Sequence, residues 1–208
     1  MAEEFAQVAS ELVELTMTLH SRGLLQGTSG NLSAVINREP LELAITPSGA
    51  DKGQLSVSKI LTIDDNCGVL NEAAGKPSDE SPLHVAVVKV RKAGAVVHTH
   101  SVWTTILSDL HFHEGGLTIS GYEMLKGLRG ITTHEHIEWI PILENSQDMT
   151  TLAREVGELL ERNREVHAFL LRRHGLYTWG SDLKEAKRHV EILEFLFETV
   201  GRVSGGFK

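Results

Sequence analysis

Ala95-Val96-Val97-His98-Thr99-His100 is the stretch that decides how this chain is expected to fold. Its apolar start is typical of a buried strand, and side chains on a strand alternate between the two faces of a sheet. His98 and His100 should therefore point to the same side and bring two imidazole nitrogens to one place. A third histidine would complete the open three-ligand site that a catalytic metal needs.

His174 is the candidate for that third ligand. It follows a second apolar run, residues 168–171, and precedes Gly175, which allows a tight turn or a close approach of the backbone. The His-x-His spacing alone is a weak signal, because residues 111–113 and 134–136 repeat it. Neither of those triplets follows an apolar strand, so we interpret them as surface histidines in loops.

The apolar periodicity changes along the chain between the helix period and the strand period. Residues spaced by three and four from Phe5 to Leu19 predict a first helix, Ser81-Pro82 predicts an N-cap and first turn, and Asp182 with Glu185 resembles a capping box. A further helix is predicted around residues 152–159, and strands at 41–45, 95–100, 139–143, 166–173 and 176–179. Interleaved helices and strands predict one α/β domain over residues 1–208.

Composition excludes several classes of partner. The chain carries 28 acidic and 20 basic residues, a net charge of −8, and no basic block that would neutralise a nucleic acid. Met1 to Glu4 lacks a basic signal-peptide start, and no apolar run approaches the ~20 residues that span a bilayer. We therefore expect a cytoplasmic protein with neither nucleic-acid nor membrane partners. Its single cysteine, Cys67, excludes an intramolecular disulfide.

Two glycine-containing turns, residues 27–31 and 46–49, are rich in small hydroxyl and amide side chains. Closely spaced backbone N–H groups in such turns can bind an anion such as phosphate, although ordinary turns chosen for their φ angles have the same composition. Neither turn is a P-loop. Asp79 and Glu80 precede the second helix, where carboxylates complement the helix dipole, and for Glu80 a role close to the metal is the alternative.

Together these motifs resemble, in order and approximate spacing, the class II zinc-dependent sugar-phosphate aldolase family, over nearly the whole chain. Three later blocks, residues 121–127, 141–145 and 172–180, are similar to the dehydratase branch of that family. The resemblance implies a three-layer α/β/α fold with a mainly antiparallel central sheet. It also implies a homotetramer with sites at subunit boundaries.

The resemblance also implies roles for individual residues. It places one Zn²⁺ per subunit on His98, His100 and His174, and the substrate phosphate at Gly30, Asn31, Ser48, Gly49 and Ser78. Glu123 matches the acid/base glutamate of the dehydratase branch, and Glu80 matches a glutamate that aldolase members use near the metal. Asp79 would repel a phosphate, so we expect it to point away and to cap the helix that begins near Pro82.

The expected substrate is a small sugar phosphate, and the expected reaction is loss of water. A base that takes the C3 proton of a ketose 1-phosphate prepares the C4 hydroxyl to leave, and Glu123 is the candidate for both proton transfers. An aldolase or epimerase acting on another sugar phosphate would share the metal and phosphate sites. A non-catalytic interaction domain is a third alternative, which the presence of all three histidines argues against.

Overall fold

The computed structural model describes residues 2–73 and 75–205. These described residues form eight strands: β1 (Asn31–Arg38), β2 (Leu41–Ile45), β3 (Leu61–Ile63), β4 (Ala95–Thr99), β5 (Gly116–Ser120), β6 (Ile137–Leu143), β7 (Ala168–Leu171) and β8 (Gly175–Gly180). Its α-helices are α1 (Ala2–Ser21), α2 (Ser81–Arg91), α3 (Val102–Leu110), α4 (Met149–Arg162) and α5 (Leu183–Ser204).

The strands form one sheet in the order β3-β2-β1-β4-β8-β7-β6-β5. Neighbouring strands run antiparallel except β6 and β7, which are parallel. Helices α2 and α4 pack on one face, and α1, α3 and α5 pack on the other. This confirms the predicted three-layer α/β/α architecture with a mainly antiparallel sheet.

The central strand β4 lies between β1 and β8. Its side chains alternate as the period of two requires: Val96 packs in the core beneath α2 and α4, whereas Ala95 and Val97 pack beneath α1. His98 continues the side of Val96 and is fully buried. His100 lies just beyond the strand, where a bridge to Leu25 keeps the backbone extended.

The predicted start of the second helix is wrong by one residue. Ser81 is the first helical residue, and its hydroxyl donates to the Ser78 carbonyl rather than capping the helix. Glu80 occupies the N-cap position without a side-chain cap hydrogen bond. Asp79 is exposed and makes no side-chain hydrogen bond within the described part of the chain, so the expected cap by Asp79 is also absent.

The C-terminal helix begins where the sequence predicted. Asp182 accepts the backbone N–H of Glu185 at 2.8 Å, as an N-cap residue should. The return arm differs from a capping box, because the Glu185 carboxylate accepts the N–H of Ser181. Among the described residues no helix has both the length and the apolar character needed to cross a membrane.

Candidate active site

Three imidazole nitrogens meet where the end of β4 faces the start of β8. The Nε2 atoms of His98 and His100 are 2.8 Å apart, those of His100 and His174 3.1 Å, and those of His98 and His174 3.3 Å. The Glu80 Oε1 atom lies 3.0 Å from Nε2 of His174 and 3.5 Å from Nε2 of His98. Glu80 therefore belongs to this cluster rather than to a helix cap.

The chemistry of this donor set fits a divalent metal ion. Burial lowers the pKa of His100 to about 3, so its imidazole is neutral, as a metal ligand must be. The outer ring nitrogen Nδ1 of His98 donates to the Leu176 carbonyl at 2.9 Å, and that of His174 donates to Oδ1 of Asn145 at 3.2 Å. These bonds direct both Nε2 lone pairs inward, toward the place where a cation would lie.

Glu80 completes the cluster as a carboxylate. Burial alone would raise the pKa of Glu80, but the neighbouring imidazoles of His174 and His98 outweigh it and hold the pKa of Glu80 far below its usual range. Its second oxygen, Oε2, accepts the Asn31 side-chain amide at 2.6 Å and the Ser78 hydroxyl at 3.4 Å. The carboxylate is thus held from one side and turned toward the histidines on the other.

The rear wall of the cluster is aromatic and tightly packed. The ring of Tyr177 stacks on His98 with centroids 4.0 Å apart, and Phe169 stacks behind Tyr177 at 4.9 Å. Gly175 lets β8 approach closely, because a Cβ atom there would collide with the Thr99 carbonyl oxygen. A larger residue would push apart the two strands that carry the ligands.

The sequence-predicted phosphate residues divide into two groups. Gly30, Asn31 and Ser78 lie beside the cluster, with the Asn31 amide 3.3 Å from the Ser78 hydroxyl. Gly30 has φ +68°, and a Cβ atom there would lie 2.7 Å from the His98 carbonyl oxygen. Ser48 and Gly49 form a separate turn, in which the Ser48 N–H already donates to the Lys76 carbonyl at 2.9 Å.

Sequence reasoning missed Lys52, which joins the two turns from beneath. The side chain is 1% exposed. Its ammonium donates to the carbonyls of Thr28 at 3.3 Å, Pro47 at 3.3 Å and Ala50 at 3.1 Å. Burial lowers the pKa of Lys52, against the opposing charge of Asp51. A lysine three residues after a turn is ordinarily exposed, so the sequence carries no signal for this burial.

The chain matches one family over most of its length. The family model described as "Class II Aldolase and Adducin N-terminal domain" matches residues 10–200. The chain belongs to this class II aldolase family. The resemblance identified from the histidines and the glycine turns is thereby confirmed.

Individual relatives of this class II aldolase chain carry more specific names. A methylthioribulose-1-phosphate dehydratase from Sorangium cellulosum is 40% identical over 195 residues, covering 93% of this chain and 91% of that protein. A protein of the same name from Methylococcus capsulatus is 39% identical over 203 residues, 97% of each. The crystal structure of an L-fuculose-1-phosphate aldolase from Thermus thermophilus superposes with a TM-score of 0.73 at 26% identity, covering 94% of each chain.

A cavity of about 620 Å³ opens beside the cluster of this class II aldolase. His100 and His174 line it, together with Asn145, the apolar side chains Val102 and Ile106, and Arg173. Asn145 is a second residue that the sequence analysis left without a role, although it lies in the block at 141–145 that resembles the dehydratase branch. The cavity joins the candidate metal site to solvent and is large enough for a sugar phosphate.

Glu123 is not brought to the histidines within one chain. Its side chain is 71% exposed, and its carboxylate contacts Lys126 at 2.7 Å and His134 at 3.8 Å. The ion pair with Lys126 lowers the pKa of Glu123. The other histidine triplets also lie outside the cluster: His111 pairs with Glu114, and His136 pairs with the buried Glu138.

Proposed function

We propose that this protein is a methylthioribulose-1-phosphate dehydratase. It would convert 5-methylthioribulose 1-phosphate to 2,3-diketo-5-methylthiopentyl 1-phosphate and water, a lyase reaction of methionine salvage, in the cytoplasm. The observation that carries this proposal is the meeting of three Nε2 atoms within 3.3 Å of one another, in a chain about 40% identical to proteins of that name.

In this proposal His98, His100 and His174 hold one Zn²⁺ per subunit. Three imidazoles with an open position are typical of catalytic zinc, and iron, nickel and copper are the competitors that metal analysis would detect. A bound cation would act as a Lewis acid that acidifies the proton next to the substrate carbonyl. The Glu80 carboxylate faces the three Nε2 atoms, and its negative charge would partly neutralise a cation bound there.

The phosphate would bind at Gly30, Asn31, Ser48, Gly49 and Ser78, through backbone N–H groups and short side chains. The main support is Lys52, whose ammonium is buried beneath both turns. Among the described residues its hydrogen-bond partners are all carbonyl oxygens. Such a buried cation favours an anion nearby, because little water screens it. The contacts themselves would come from the small residues, with Lys52 supplying the electrostatic field from below.

Glu123 would carry the proton in both steps. Its carboxylate would take the proton from C3 and return it to the C4 hydroxyl, which leaves as water, and the resulting enol would ketonise to the 2,3-diketone. Because Glu123 is exposed in one chain, a second copy must bring it to the histidines. A shared site needs at least two copies, and the resemblance to class II aldolases leads us to propose a homotetramer.

An exposed apolar stripe on α3 supports this assembly. Val102, Ile106 and Leu110 follow one another at spacings of four residues and are 66%, 48% and 59% exposed. Val102 and Ile106 also line the cavity at the histidines. An exposed apolar surface of this kind is typical of an interface, and its place beside the site is where a neighbouring copy would approach.

Product analysis tests the activity. Incubation of the metal-loaded protein with methylthioribulose 1-phosphate should yield the phosphorylated diketone and no carbon–carbon cleavage. Release of a three-carbon phosphate would make the protein an aldolase, and recovery of an isomeric sugar phosphate would make it an epimerase. The His98→Ala variant controls for contaminating enzymes. A wild-type protein that is inactive and binds no metal would favour the interaction-domain alternative.

Mixing two inactive variants tests the shared site. Glu123→Gln and His174→Ala proteins would each lack one half of every site. After subunit exchange, about a quarter of the sites should combine an intact histidine set with an intact Glu123 from the neighbour. Activity should then reappear in the mixture. Absence of recovery, with exchange verified by mass spectrometry, would contradict a Glu123 contributed by a second copy.

A further inference from the structure

A buried chain of polar side chains runs behind Glu80, away from the cavity. The Ser33 hydroxyl lies 2.7 Å from Nδ1 of His84, and Nε2 of His84 contacts Oδ1 of Asn31. The amide nitrogen of Asn31 in turn contacts Oε2 of Glu80 at 2.6 Å. Ser33 and His84 are 0% exposed and Asn31 is 4% exposed. The chain therefore links the core of the sheet to the candidate metal site without bulk water.

Donor and acceptor roles along this chain follow from its last member. A carboxylate only accepts hydrogen bonds, so Asn31 must turn its NH₂ group toward Glu80. The Asn31 carbonyl oxygen then faces His84, whose Nε2 must carry the ring proton. Nδ1 of His84 is left as an acceptor, and the Ser33 hydroxyl donates to it. Each buried group has one partner of the right kind.

The surroundings of His84 agree with a neutral ring. Burial lowers the pKa of His84 to about 3, with the charge of His98 acting in the same direction and that of Glu80 against it. An uncharged imidazole has one donor and one acceptor nitrogen, as this chain requires. Its ring also packs edge-on against Tyr177, with centroids 5.9 Å apart.

We propose that His84, held in one tautomer by Ser33, is a positioning residue that sets the orientation of the Asn31 amide and, through it, of the Glu80 carboxylate. Without the donor at Nε2, the buried Asn31 carbonyl oxygen would have no hydrogen bond from His84, and the amide would move toward another donor. The Asn31 NH₂ group would then no longer hold the Glu80 carboxylate in place. It would also no longer be fixed beside Ser78, where the phosphate is proposed to bind. This inference rests on the proposed function, because it concerns the same site.

Two variants at position 84 separate positioning from simple core packing. His84→Leu fills the space and removes the donor, whereas His84→Gln keeps an amide N–H that can reach the Asn31 oxygen. We expect kcat/KM to fall ~10–100-fold in His84→Leu, as for other supporting hydrogen bonds behind a metal site, and to recover largely in His84→Gln. Competition with a chromophoric chelator measures metal affinity independently of turnover.

His189 provides the matched control. It is 2% exposed on α5, and both its ring nitrogens are hydrogen-bonded, to the Trp179 carbonyl and the Arg129 N–H, outside the cluster. His189→Leu should lose stability yet keep kcat/KM within about twofold of wild type, because it does not touch the site. Equal losses of kcat/KM in His84→Leu and His189→Leu, or an unchanged kcat/KM in His84→Leu, would overturn the proposal.

A spectroscopic measurement keeps this inference separate from the activity. Long-range ¹H–¹⁵N correlation spectra distinguish the protonated and unprotonated ring nitrogens of His84. We expect the proton on Nε2 in the wild type and a mixture of tautomers in Ser33→Ala. The Ser33→Ala variant also tests the proposal if His84→Leu does not fold. A proton on Nδ1 would overturn the proposed role of His84, whether or not the protein releases water from the substrate. A proton on Nε2 in a protein that does not release water from the substrate would support the proposed role of His84. That result would refute only the proposed function.

Discussion

The buried ring of His189 predicts a specific loss of stability in acid. Its Nδ1–H donates to the Trp179 carbonyl at 2.7 Å, and its Nε2 accepts the Arg129 N–H at 3.1 Å. Only a neutral imidazole satisfies both partners, since a second ring proton would face the Arg129 N–H. Burial lowers the pKa of His189 to about 4, against the hydrogen bond to the Trp179 carbonyl and together with the charge of His167.

The size of the effect follows from the two pKa values. His189 has an ordinary pKa of 6.5 in the unfolded chain and about 4 in the folded protein. At pH 7 His189 is mostly neutral in both states, and nearly all of the stabilisation is present. It is lost as the pH falls from about 6.5 to about 4, because the unfolded state binds the proton first. At 1.36 kcal/mol for each pKa unit, the loss is about 3 kcal/mol. This is a large share of the roughly 5–15 kcal/mol by which domains are stable.

Urea denaturation of the wild type and of His189→Gln, from about pH 7 to about pH 4, measures this term. The Gln side chain cannot take up a proton, so the difference between the two free energies of unfolding should shrink toward acid by about 3 kcal/mol, while all other titrations cancel. The same substitution at an exposed histidine, His113→Gln, provides the control. A wild-type minus His189→Gln difference that stays constant over the interval would refute the reasoning.

Four further predictions concern the site. His174→Ala should lose most of its metal affinity, and full metal stoichiometry in that variant would require another third ligand, with His134 and His136 the next candidates. Asn31→Ala should raise KM for the phosphorylated substrate, and unchanged KM and kcat would contradict its assignment to the phosphate. Lys52→Met should weaken inhibition by inorganic phosphate with metal content unchanged; unaltered inhibition would reduce Lys52 to a structural tie between two turns. Glu123→Gln should lower kcat ~10²-fold or more with zinc retained, and near-normal water loss would transfer the proton shuttle to Glu80.

The sequence by itself determined those features that depend on neighbours along the chain. Strand periodicity places His98 and His100 on one face, and the cap at Asp182 starts the last helix, because both follow from backbone geometry over a few residues. The class II aldolase family was likewise readable from short motifs in a definite order. Strands β1, β3 and β5 and helix α3 were not predicted. Strand β3 has only three residues, and β5 and α3 each have exposed positions that interrupt the apolar pattern.

Only the tertiary structure decided which distant residues meet. His174 reaches His98 because β8 pairs with β4, and period and composition do not encode the choice of strand partners. The same limit hid the burial of Lys52 and the alignment of His84 with Asn31, since a polar side chain becomes buried only when remote segments supply its hydrogen bonds. The tertiary structure also places Glu123 apart from the histidines within one chain, which no local pattern in the sequence indicates.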